Sequence, residues 1–209
     1  MKSNTENLEP NAIYHIYNRG INGENIFKEE KNYLYFLQRY AHHITPIADT
    51  YAYCLLKNHF HVALKVKNLE EIEAFYKIKF PDKIDLPPIP RIISQQFASF
   101  FNGYAQAINK SYSRTGGLFE EPFRRILISN ESSLAELIFY IHNNPEKHGF
   151  VKDFRSYSHS SYHSLLHTAQ TKLKREEVLS LFGGKEKFEA FHANNQTLRN
   201  LDKFMIEFD

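Results

Sequence analysis

Two histidines separated by a single residue, His59 and His61, open an apolar, β-prone run that ends at Lys67. Side chains alternate along a strand, so His59, His61, Ala63 and Lys65 share one face, and Phe60, Val62, Leu64 and Val66 share the other. The apolar set is the one expected to face a core. Alpha carbons two residues apart on a strand are roughly 7 Å apart, which lets both imidazoles reach one divalent ion. The same spacing also occurs on strand faces that merely meet solvent, so the pair on its own leaves both readings open.

A second constellation lies far along the chain. Tyr140 and Asn144 are at i and i+4 of a helical pattern, one above the other on the flank of an apolar stripe. A phenol with a reference pKa near ~10 needs a polarised phosphate or a nearby base before it can attack at neutral pH. An amide oxygen such as that of Asn144 can complete a hard-cation shell that contains two imidazoles. An aromatic at a core edge and a helix-ending asparagine before Pro145 would look the same in isolation. His142 falls on the opposite flank from Tyr140 and is expected to be a structural histidine.

These groups need a scaffold. Ala12 to Asn18 reads as a strand leading into a turn, and Tyr33, Phe36, Leu37 and Tyr40 mark an amphipathic helix from Glu29 to His43. Thr50 to Lys57 and His59 to Lys67 read as two antiparallel strands joined at Lys57-Asn58. Residues 68 to 91 begin with a charged helical patch and continue into FPDKIDLPPIP, which no regular helix or central strand accommodates. A helix is expected from Arg91 to Tyr112, stopped at Thr115-Gly116-Gly117, then a strand from Phe123 to Ser129. Ser133 and Glu136 have capping-box spacing, Leu134, Leu137, Ile138 and Ile141 form a stripe, and Pro145 is expected to end that helix near Asn144. The expected division is a main domain over residues 1 to 167, with 68 to 91 as a proline-rich insertion, and a C-terminal helical tail over 168 to 209.

Composition sets the limits. The 209 residues can bury a core, and 26 basic against 24 acidic residues leave +2, so any polyanion surface must come from local clustering. One cysteine, Cys54, excludes an intrachain disulfide and multi-thiolate metal sites. No basic leader with an apolar stretch and no span-length apolar window is present, so a cytoplasmic protein without a membrane partner is expected.

Asn58-His59-Phe60-His61 resembles the histidine-hydrophobic-histidine signature of the single-tyrosine HUH nucleases. Tyr14-His15-Ile16-Tyr17-Asn18-Arg19-Gly20 resembles the opening strand and turn of one branch, the REP-associated tyrosine transposases of the IS200-like superfamily. Tyr112-Ser113-Arg114-Thr115-Gly116-Gly117-Leu118-Phe119 is similar to their Arg-x-Gly-x-Leu-Phe segment, and Tyr140-Ile141-His142-Asn143-Asn144-Pro145 to their Tyr-Ile-x-x-Asn-Pro motif. The four run in family order over residues 12 to 163. Lys57 stands where family members often have proline, Glu146-Lys147-His148-Gly149 departs from the usual continuation, and the 68 to 91 segment is longer than the family leads one to expect.

The resemblance implies an α+β fold, ferredoxin-like or RRM-like, with an antiparallel sheet, helices on one face and the histidine pair on a central strand. It implies His59 and His61 as ligands of Mg²⁺ or Mn²⁺, Asn144 as the third protein ligand or a positioner, and Tyr140 as nucleophile, in single-stranded DNA cleavage and strand transfer through a 5′-phosphotyrosine. Phosphates of a single-stranded or hairpin DNA would be met by Arg114, Arg124 and Arg125, with Lys110 and Arg19 in support, although Glu120 and Glu121 offset part of that charge. Family relatives include dimers, so a homodimer is an expectation carried by resemblance alone; no apolar heptad seam requires one. The alternative is a DNA-hairpin-binding protein of transposase descent that has lost turnover.

Overall fold

The computed structural model describes residues 7 to 194. Its centre is a four-stranded antiparallel sheet made of β1 (Ile13–Arg19), β2 (Ala48–Leu56), β3 (His59–Val66) and β4 (Arg124–Ile128), in the order β2-β3-β1-β4. Lys57 and Asn58 form the two-residue turn between β2 and β3, which places His59 opposite Leu56 and His61 opposite Cys54. On the other side β3 pairs with β1, with Tyr17 opposite His61, Arg19 opposite His59 and His15 opposite Ala63. The histidine pair is therefore on a central strand, as expected.

Helices α1 (Glu30–His43), α2 (Leu69–Lys79) and α3 (Ile89–Ser111) cover one face of this sheet. Phe60, Val62, Leu64 and Val66 of β3 pack there with Tyr14 and Ile16 of β1, against Phe36 and Tyr40 of α1 and Phe97, Phe100 and Tyr104 of α3. The Arg39 guanidinium from α1 rests over Gly103 of α3, where a Cβ would lie 2.1 Å from it. Each large side chain fully withdrawn from water in such a layer contributes about 1.5–3 kcal/mol.

The opposite face is covered as well, which corrects the expectation of helices on one face. Helix α4 (Glu131–Lys147) packs there with Leu137, Ile138 and Ile141 against Ala52, Cys54, Ala63 and Ile128. The reason is in the interior strands: β1 and β3 bury Tyr14, Ile16, Phe60 and Val62 on one face and His15, Tyr17, His61 and Ala63 on the other, so each side requires its own layer. The short α5 (Tyr162–Leu166), then α6 (Arg175–Leu181) and α7 (Lys185–Asn194), add Leu165, Val178 and Phe188 to this second core. The expected tail thus contributes to the core beneath α4 through residue 194; residues 195–209 lie outside the described residues.

Two details of α4 differ from expectation. Its cap is Asn130, whose side chain accepts from the Ser133 amide at 2.8 Å, so Ser133 lies inside the helix and heads no capping box. The helix also continues through Pro145 to Lys147. Proline removes one N–H and crowds the preceding turn; the Asn144 amide donates to the Tyr140 carbonyl at 2.7 Å beside that disturbance, and His148 N–H closes on Asn144 O at 2.9 Å. The 68 to 91 segment consists of α2, capped by Asn68 and Glu71, followed by an exposed loop and the first turn of α3. Among the described residues no helix is long and apolar enough to cross a membrane.

Candidate active site

Strand alternation and register assemble the site on the sheet face beneath α4. β3 presents His59 and His61, β1 presents His15, Tyr17 and Arg19 beside them, and β4 adds Arg124 opposite Tyr17. His59 and His61 are only 5% and 3% exposed, so the histidines are buried and do not lie on a solvated face. Their rings stand perpendicular, with centroids 5.2 Å apart.

Helix α4 lays one stripe along that pair. Tyr140 meets His61 edge-on at 5.6 Å between ring centroids and His15 at 5.9 Å. Two turns further on, His148 meets His59 at 5.0 Å. Asn144 is one turn from each, so the i, i+4, i+8 spacing runs it alongside the two histidines. Tyr140 and Asn144 thus reach the same site as His59 and His61.

Burial sets the protonation states. Desolvation holds the imidazole pKa of His59 down at about 3, helped by His148 and Arg19. The pKa of His61 is driven well below its usual value by the same desolvation, with smaller contributions from His15, His59, His148 and Lys147. Both rings are neutral at pH 7, the form in which imidazole donates a lone pair. His59 Nδ1 lies 2.8 Å from Asn58 Oδ1, an acceptor, so Nδ1 carries the proton and the lone pair is on Nε2. Desolvation raises the Tyr140 phenol to about 12; the Asn144 amide opposes the rise and Tyr17 adds to it.

Whether these residues suit a hard divalent cation can be judged from atoms that nothing else satisfies. His61 Nε2 and Asn144 Oδ1 are buried and have no hydrogen-bond partner among the described residues. An orphaned buried acceptor costs about 1–3 kcal/mol, so two on adjoining elements point to a missing partner. No three His, Cys, Asp or Glu side chains among the described residues are grouped as a metal site. A cation here would take two imidazoles and an amide oxygen, a mixed set in which the amide oxygen suits Mg²⁺ or Mn²⁺ and the imidazoles favour a transition ion over Mg²⁺.

The expected phosphate-binding cations separate. Arg19 and Arg124 belong to the histidine face, with Arg19 held by Glu120 at 2.5 Å. Arg124 is exposed and has no ion pair among the described residues. Arg125 points to the other face and stacks over Phe123 at 4.2 Å. Arg114 is engaged by Glu24 at 2.5 Å and Asn109 at 2.6 Å, and Lys110 is exposed on α3. His15, Tyr17, Lys147 and His148 were not singled out from sequence. The β1 alternation that groups His15, Tyr17 and Arg19 was legible, but its register against β3 was not.

No family model matches the chain. A Haemophilus influenzae protein named "Putative REP-associated tyrosine transposase" is 27% identical over 117 residues, 55% of this chain and 59% of that protein. The matched segment thus spans less than two thirds of the relative's length. The solved structure of a REP-associated tyrosine transposase bound to a REP hairpin superimposes with a TM-score of 0.57 at 14% identity, over 79% of this chain and 86% of that one. The chain therefore shares that protein's fold, and it is similar in sequence to a protein named for the same family.

Proposed function

We propose that this protein cleaves single-stranded DNA and transfers the cut strand through a covalent tyrosine intermediate, acting on DNA that carries a hairpin. The observation that carries this reading is the contact of Tyr140 with His61, itself beside His59, together with two buried, unsatisfied ligand atoms, His61 Nε2 and Asn144 Oδ1. Hairpin DNA as substrate is supported by the hairpin-bound neighbour and by the similarity to a tyrosine transposase.

In this scheme the Tyr140 oxygen attacks phosphorus in line and forms a phosphotyrosine to the 5′ side of the downstream strand. The P–O3′ bond breaks, and the proton given up by the phenol is balanced by one taken up at the departing 3′-oxygen. The phosphodiester energy is kept in the new P–O bond, so a second 3′-hydroxyl can reverse the step and join another strand. A divalent cation held by His59, His61 and Asn144 would supply Lewis-acid polarisation of the phosphate. Lys147, whose ammonium lies 5.5 Å from the Tyr140 ring centroid, adds positive charge beside the nucleophile, and Arg19 and Arg124 would meet phosphates along the same face.

A hairpin binder without turnover is supported by one observation: Tyr140 is 4% exposed and its phenol is harder to ionise than free tyrosine. Intact mass of wild type and Tyr140→Phe after incubation with a hairpin oligonucleotide and Mn²⁺ separates the two. A DNA adduct on wild type alone is the expected result. Tight hairpin binding with neither adduct nor cleavage would establish the binder, and an adduct on both proteins would move the nucleophile to another tyrosine.

A further inference from the structure

β1 carries a histidine that the reaction scheme leaves without a role. His15 is fully buried, and its Nε2 lies 2.9 Å from His61 Nδ1, the nitrogen of His61 that faces away from the unsatisfied Nε2. The rings stack with centroids 5.1 Å apart and planes 26° apart. The strand register allows this: His15 is opposite Ala63, not His61, and the small side chain of Ala63 leaves space for the imidazole to lean along β3. A residue that only filled volume on this face would need no nitrogen aimed at a nitrogen.

Both rings are withdrawn from water, where an ionised imidazole with no anion beside it is strongly disfavoured, so both are neutral. Each ring then carries one N–H, and the 2.9 Å contact is an N–H···N hydrogen bond running one way or the other. If His15 donates, His61 must carry its proton on Nε2 and that nitrogen cannot bind a cation. If His61 donates, its Nε2 has the lone pair.

We infer that His15 is a positioning residue that accepts the His61 Nδ1–H, fixing the tautomer and ring orientation in which His61 Nε2 is presented as a ligand beside Tyr140. This rests on the function proposed above for its purpose, though not for its hydrogen bond. A ligating histidine commonly gives its second N–H to an acceptor that fixes the tautomer, and losing such a partner costs about 10–100-fold in metal affinity or activity. Here the acceptor is a second imidazole delivered by the neighbouring strand.

Long-range ¹H–¹⁵N correlation spectra of metal-free wild type read the tautomers directly. The expected result is a proton on Nδ1 of both His15 and His61, with both Nε2 atoms unprotonated. A proton on His61 Nε2 overturns the inference whatever the protein does with DNA. Mn²⁺ affinity, followed by electron paramagnetic resonance without DNA, is expected to fall about 10–100-fold in His15→Phe and to recover to within about 3-fold of wild type in His15→Gln, which restores an acceptor. Equal affinities in wild type and a folded His15→Phe also overturn it. A wild type with the expected tautomers that binds no Mn²⁺ would instead sink the metal-dependent function and leave the hydrogen bond standing.

Discussion

The second core contains two buried imidazole pairs with the same 2.9 Å contact, His15 with His61 and His142 with His192, and they end differently. His192 Nδ1 donates to Phe188 O at 2.8 Å, so its Nε2 accepts from His142 Nδ1. His142 Nε2 must then accept from the Ser161 hydroxyl at 2.8 Å, and that hydroxyl oxygen accepts the Tyr53 amide at 2.9 Å. Every nitrogen of this chain is used, and it ties α7 and the Ser161 turn to α4 and β2. The chain through His61 stops at Nε2, and Asn144 Oδ1 on the overlying helix also stops short of a partner among the described residues. Equal burial and equal contact distance therefore separate into a closed network that serves architecture and an open one that has a valence to spend on a ligand.

Leucine at the central member of each pair should split the phenotypes. His61→Leu removes a proposed ligand; it strands His15 Nε2 in the core but also removes the orphaned His61 Nε2, so the two effects on stability nearly cancel: covalent adduct formation is expected to fall by about 10³-fold, roughly 4 kcal/mol of transition-state stabilisation, with unfolding free energy within about 1 kcal/mol of wild type. His142→Leu strands the Ser161 hydroxyl and His192 Nε2 inside the core, at about 1–3 kcal/mol each, so urea denaturation should show a loss of about 2–5 kcal/mol. Adduct yield per folded His142→Leu molecule, measured well below its melting point, should stay within about 5-fold of wild type. Indistinguishable stability losses in the two variants would dissolve the distinction between open and closed networks.

What could be read from sequence follows the range of the interaction. The i, i+4 relation of Tyr140 to Asn144 and the alternation of His59 and His61 are local periodicities, and both survive in the structure. The lack of a ligand role for His142 was legible from its angle on the helix, but its partners His192 and Ser161 were not, because they come from segments 50 and 19 residues away with no periodic signal. His15 was quoted only as part of a motif; its contact with His61 depends on a β1–β3 register that bridges 46 residues. Helices on one face were an expectation carried by the resemblance; nothing local in the sequence showed that His15, Tyr17 and His61 would be buried beneath α4 on the other. The Asn130 cap was hidden by the better-known Ser-x-x-Glu pattern three residues later.

Acid should weaken the closed pair in a defined window. Desolvation lowers His192 to about 4 and His142 well below its usual value. The folded pKa values lie below the unfolded value near ~6.5, so the unfolded chain binds more protons and stability is complete above that pH and lost as pH falls toward the folded values. His192 accounts for about 3 kcal/mol at most between pH ~6.5 and ~4, and His15 and His59 add loss over the same range. Unfolding free energy measured from pH 7 to 4 should therefore decline, and His192→Phe, though less stable at pH 7, should decline with a shallower slope. An unchanged slope would mean that the closed pair does not titrate on unfolding.

The smallest effect tests where the open network meets water. His59 Nδ1 rests on Asn58, a partly exposed residue of the β2–β3 turn, whereas both ends of the His142 chain terminate in the core. In Asn58→Ala a water molecule can take the Asn58 oxygen's place and keep His59 in the same tautomer, since a bridging water is nearly as good an acceptor. Mn²⁺ affinity is then expected to drop by less than the about 10-fold that marks loss of an outer-shell partner, and the melting temperature should not move. A loss of stability above about 1 kcal/mol would show that His59 is held as rigidly as His142, and its partner would then belong to the architecture and not to the site. A drop of about 100-fold in affinity with unchanged stability would sharpen the contrast instead, placing the control of both metal-facing nitrogens in residues outside the ligand set: Asn58 for His59 and His15 for His61.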